Sequence, residues 1–90
     1  MRRVDMLSKL DFFIFLINYF QECNFAFSKN GENREIELIS GVIGGAPAFD
    51  MNAIGEPYEC GVHHELSEYV TNHGYRLEYS DGRLLILQND

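Results

Sequence analysis

The sequence predicts an α+β fold: two helix–β-hairpin units giving a small antiparallel sheet of about four strands, covered on one face by two helices. Three observations carry that expectation. The apolar run over residues 10–20 has helical length, and Val62, Leu66, Tyr69, Val70 and His73 recur at the spacing of one helical face. Asn30-Gly31 and Asp81-Gly82 each lie between apolar segments, as two-residue hairpin turns do. Ninety residues suffice for one core. The expected division of the single domain 1–90 is a helix over 5–23, a hairpin over 25–39, a connector over 40–61, a helix over 62–73 and a hairpin over 75–88.

The first helix organises the chain. At about 100° per residue, Asp11, Asn18 and Glu22 fall in one narrow arc. Almost all else from Leu10 to Phe20 is apolar, a wider face than a surface helix needs. Ser8 with Asp11 three residues on is a capping signal, and Asp5 is an alternative cap. The run falls short of the roughly 20 apolar residues of a membrane span. Asp5, Asp11 and the Gln21-Glu22-Cys23 sequence do not suit a cleaved export signal. With two cysteines and no such signal, the expected compartment is cytoplasmic and both thiols are expected reduced.

Asn24 is expected to cap this helix in the left-handed conformation, with Phe25 facing Ile36 across the Asn30-Gly31 turn and residues 34–39 returning. The second unit repeats this grammar about 50 residues later. Gly74 is its cap, Tyr79 pairs with Leu84, Leu77 with Ile86, and Tyr69 and Tyr75 match Tyr19 and Phe25. The connector is the least regular stretch, and 41–43 or 48–51 are its candidate strands. Gly41-Val42-Ile43-Gly44-Gly45 reads as a tight turn or bulge, because it lacks the spacing of a phosphate-binding loop.

Charge placement says more than net charge. No Lys or Arg occurs over 35–75, a span holding Glu35, Glu37, Asp50, Glu56, Glu59, Glu65 and Glu68, so the whole net charge of −7 lies there. Phosphate backbones attract the opposite sign, which disfavours direct nucleic-acid binding. Phe49 and Tyr58 lie among these acids, as anchors within an acidic rim do.

Other chemistry is weakly specified. Cys60, His63 and His64 contain zinc-ligand types, but adjacent histidines diverge on a helix, and the reading preferred here is an ordinary helix start. No nucleophile–base geometry or cofactor motif stands out. The expected function is therefore a small acidic, non-enzymatic binding protein. It would occlude a basic partner that handles nucleic acid, through Phe49, Asp50, Glu56, Tyr58, Glu59, Glu65 and Glu68. Toxin-immunity and phage anti-defence proteins share this size and charge, a resemblance of class only. The alternatives are a structural or regulatory subunit that homodimerises through the first helix or an unpaired sheet edge, and a small metal protein or enzyme centred on Cys60, His63 and His64.

Overall fold

The computed structural model describes residues 8–28 and 34–89. Helix α1 spans Lys9–Tyr19, with Ser8 as N-cap: its Oγ accepts from the Asp11 N–H at 3.1 Å. Phe20 closes the helix, donating its N–H to the Leu16 carbonyl. The helix is shorter than the expected 5–23. Residues 5–7 lie outside the described ones, and Cys23 is already in strand β1 (Cys23–Phe27). Asn24 is therefore a strand residue rather than a cap.

Strand β2 (Ile36–Ile43) returns antiparallel to β1 and is longer than the expected 34–39. Phe25 lies opposite Leu38 and Phe27 opposite Ile36, which corrects the expected Phe25–Ile36 pairing by two residues. Ser28 donates to the Glu35 carbonyl at 2.7 Å, whereas a tight Asn30-Gly31 turn would set Ser28 opposite Asn33; that turn lies outside the described residues. A bulge between Asn24 and Phe25 then sets Cys23 against Gly41. Gly41 has φ +151°, and a Cβ there would sit 2.5 Å from Cys23 Cα, so only glycine fits.

The connector is more ordered than expected. Gly44-Gly45 turns β2 into β3 (Ala46–Pro47), and residues 41–43 are the end of β2. Over 48–51 only Phe49 forms a bridge, to Val62. Strands β4 (Tyr58–Glu59) and β5 (Val62–His63) make a separate two-stranded ladder around Cys60-Gly61, both at positive φ as in a type I′ turn. Val62 and His63 thus precede helix α2, which spans His64–Asn72 rather than 62–73. Gly74 follows at φ +84°. Strands β6 (Tyr75–Ser80) and β7 (Arg83–Gln88) pair as the sequence predicts, Leu77 with Ile86 and Tyr79 with Leu84, about the Asp81-Gly82 turn.

The sheet runs β1-β2-β7-β6, all antiparallel, with β3 added beside β2 as a fifth strand. Phe27 opposite Ile36 recurs 50 residues on as Leu77 opposite Ile86, and Ile36 pairs with Ile86 at the centre. One face of the sheet (Phe25, Ile36, Leu38, Tyr75, Leu84, Ile86) joins Phe12, Leu16, Leu66 and Val70 of the helices in one buried cluster. Phe12 stacks on Tyr75 at 4.2 Å, and Phe13 stacks on Phe27 at 4.7 Å. Neighbouring residues of α1 thereby reach both edge strands, so the helix lies across the sheet.

Phe12→Ala is expected to cost about 3–5 kcal/mol, from lost burial and the cavity left behind, and Phe12→Leu much less; chemical denaturation measures both. Gly41→Ala is expected to lower the denaturation midpoint by more than a typical surface change, on the order of 2 kcal/mol or above, whereas Gly44→Asn, in an open turn, should change it by under about 1 kcal/mol.

Candidate partner-binding surface

Helix α1 is apolar almost all round, yet only Phe12 and Leu16 within it are buried. Leu10, Ile14, Phe15, Ile17 and Tyr19 are all exposed, Leu10 and Tyr19 by about 60%. Leu10, Ile14 and Ile17 recur at i, i+4 and i+7, which makes a continuous stripe. Large side chains left in water along one helix mark an interaction surface more often than a solvated face.

The other flank of α1 meets α2 through aromatic rings. Tyr19 stacks on Tyr69 at 4.4 Å, Tyr69 packs on His73 at 4.3 Å, and Phe15 meets His73 edge-on at 6.2 Å. His73 Nδ1 lies 2.7 Å from the Tyr69 carbonyl, which fixes the ring within the seam. Burial, with a smaller contribution from Tyr19, raises the Tyr69 phenol above its usual range.

Two shallow depressions open at the end of this seam, and Tyr19 and Glu65 line both. One, of about 340 Å³, runs past Glu22 to the Gly44 turn; the other, of about 180 Å³, lies against Glu68, Tyr69 and Asn72. Glu22, Glu65 and Glu68 are exposed, and among the described residues no Lys or Arg lines either depression. The helix geometry explains the grouping. Glu65, Glu68, Tyr69 and Asn72 project from one side of α2, the side turned toward α1.

The residues singled out from sequence are divided between places. Glu65 and Glu68 belong to the seam. Glu59 lines a different cavity, on the far flank of α2. Asp50 is exposed, bonded through its backbone N–H to the Gly61 carbonyl, and close enough to Tyr79 to help raise that phenol, after burial. Glu56 is exposed in the connector. Phe49 is half-buried against the core, and the Tyr58 hydroxyl donates to the Pro47 carbonyl at 2.7 Å. Both aromatic side chains thus hold the connector in place. Glu35 and Glu37 pair with Lys9 and Arg83. Tyr19 and Glu22 lie outside the base-free span and so are not marked by the charge pattern. The excess width of the α1 apolar face was the signal that pointed to this helix.

At the start of α2, buried His63 is the N-cap, its Nδ1 accepting from the Glu65 N–H at 3.2 Å, and His64 stacks on it at 5.0 Å. Among the described residues, no three His, Cys, Asp or Glu side chains come together as a metal site. Nor is any helix among them long and apolar enough to cross a membrane. Cys60 is exposed, whereas Cys23 is buried; burial, with Glu22 nearby, raises the Cys23 thiol above its usual range. No family model, curated protein or solved structure matches the chain.

Under native conditions, iodoacetamide is expected to add once, at Cys60, because Cys23 offers neither access nor thiolate. Intact-mass analysis with peptide mapping reads this out, and two adducts before unfolding would contradict the packing described.

Proposed function

We propose that this chain is a non-enzymatic binding protein that occludes a basic protein surface, its target being a protein that handles nucleic acid, as toxin-immunity and phage anti-defence proteins do. One observation carries the reading: the exposed apolar face of α1 adjoins a seam where Tyr19 stands among Glu22, Glu65 and Glu68, with no base lining it among the described residues. That combination matches the anatomy of a protein interface, with apolar and aromatic anchors at the centre and charge at the rim. The carboxylates stand where phosphates would on the target's natural ligand, accepting hydrogen bonds from Lys and Arg. A guanidinium laid on the outer face of Tyr19 would gain a cation–π contact as well as ion pairing.

The two parts of the surface have different jobs. Unpaired negative charge speeds encounter with a cationic partner and weakens with salt. Burial of the α1 stripe slows release, because apolar contacts are little affected by ionic strength. The anchors on this reading are Tyr19 and the α1 stripe, while Asp50, Glu56 and Glu59 contribute to the long-range field.

The test pairs the wild-type chain with a Glu22→Lys, Glu65→Lys, Glu68→Lys variant in capture from nuclease-treated host lysate. The expected outcome is a basic protein that elutes as salt rises, is lost from the charge-reversed variant, and is weakened at least about tenfold by Tyr19→Ala. Equal capture by wild type and variant, or self-association alone that survives high salt, would overturn the reading.

A further inference from the structure

The far flank of α2 has a different character. There, a cavity of about 410 Å³ lies between this helix and strand β6, bordered by the β4–β5 turn. Ser67 and Thr71, one helical turn apart, form one wall; Leu77 and Tyr79 of β6 form the other, above Val62 and Leu84. Among the described residues, strand β6 ends the sheet and pairs only with β7.

The turn geometry fixes which backbone groups face this cavity. Asp81-Gly82 is a two-residue type I′ turn, so the flanking Ser80 and Arg83 form a hydrogen-bonded pair. Hydrogen-bonded and non-hydrogen-bonded pairs alternate along an antiparallel ladder. Glu78–Leu85 and Arg76–Leu87 are therefore bonded pairs, and Leu77–Ile86 and Tyr79–Leu84 are not. The N–H and C=O groups of Leu77 and Tyr79 consequently point away from β7. Among the described residues, no backbone hydrogen bond from outside the hairpin reaches them. The Tyr79 hydroxyl donates to the Gly61 carbonyl, which ties the β4–β5 turn to this strand and holds the cavity mouth in shape.

We propose that this groove binds an extended peptide segment of another protein by strand addition to β6. The occupant follows from the chemistry of the edge. Two donors and two acceptors, spaced two residues apart along a strand, match the main chain of an extended peptide. A peptide residue opposite Leu77 would project to the same face as the Leu77 side chain, and so into the cavity over Val62 and Leu84. An apolar residue is what that floor accepts. The flanking peptide positions would point to the opposite face of the sheet, so specificity rests on alternate residues. The β6 groove and the acidic seam lie on opposite flanks of α2, and neither depends on the other.

The probe is a synthetic eight-residue peptide alternating threonine and valine with a lysine at each end. Its control carries proline at alternate positions, which removes backbone donors. In amide NMR of the whole chain, the first peptide is expected to shift Leu77 and Tyr79 saturably and slow their hydrogen exchange, leaving the α1 amides unmoved. In the free protein these two amides should exchange faster than those of Arg76 and Glu78. Thr71→Tyr, which fills the groove from the helix side, should weaken the peptide at least about tenfold while leaving the spectrum of the core unchanged. Should that variant not fold, the proline control decides alone. Equal binding by the proline peptide, no saturable shift at millimolar peptide, shifts confined to α1, or a β6–β6 dimer of this chain that already protects Leu77 and Tyr79 would each overturn the proposal.

Discussion

The Phe12 ring lies against the Tyr75 ring with centroids 4.2 Å apart, and both side chains are sealed from solvent. That contact joins the first helix to the last hairpin, across most of the chain. Offset aromatic stacking adds to the area buried, and the rings of Tyr69 and His73 extend the stack across the helix layer. Because Phe13 reaches Phe27 from the next position, α1 is held against both edges of the sheet. Its rotation about its own axis is thereby fixed, and with it the side chains left outside.

This fixed rotation explains why the surface carries so much apolar area. A helix that packs on one sheet face needs one apolar stripe. Helix α1 has Phe12 and Leu16 inward, Tyr19 and Phe15 along α2, and Leu10, Ile14 and Ile17 outward. The first two sets build the fold, whereas the third contributes little to it within one chain. Helix α2 is sparer: Leu66 and Val70 are its buried residues, and its two flanks border surfaces of contrasting chemistry. Toward α1 it presents carboxylates beside stacked tyrosines. Toward β6 it presents hydroxyls facing a bare strand edge.

The ladder through the connector ties these surfaces together. Ala48 donates to the Gly41 carbonyl, and the Ala48 carbonyl accepts from His63, so backbone pairing passes from β2 to the start of α2. Cys60-Gly61 turns the chain where a Cβ on Gly61 would lie 2.8 Å from the Asp50 carbonyl oxygen. The segment that looks least regular in sequence is the one that positions Glu65 and Glu68 relative to Glu22.

Local chemistry made much of this legible without a structure. Ser8 could be read as a cap, Gly74 as a helix stop and Asp81-Gly82 as a type I′ turn, because each depends on a few neighbouring residues. Register in the first hairpin is not local: Ser28 lies opposite Glu35, which sets Phe25 against Leu38 rather than Ile36, and the bulge beyond Phe25 shifts only Asn24 and Cys23. Cys23 left the helical pattern because a strand opposite Gly41 offered it a buried place. The α+β class, the negative charge and the excess apolar width of the first helix follow from composition and period alone. That Glu22, Glu65 and Glu68 line depressions around Tyr19, that Glu59 faces a different cavity, and that Phe49 and Tyr58 serve the connector are results of packing. Those outcomes depend on how two helices far apart in the chain are set against one sheet, a geometry that spacing along the chain does not encode.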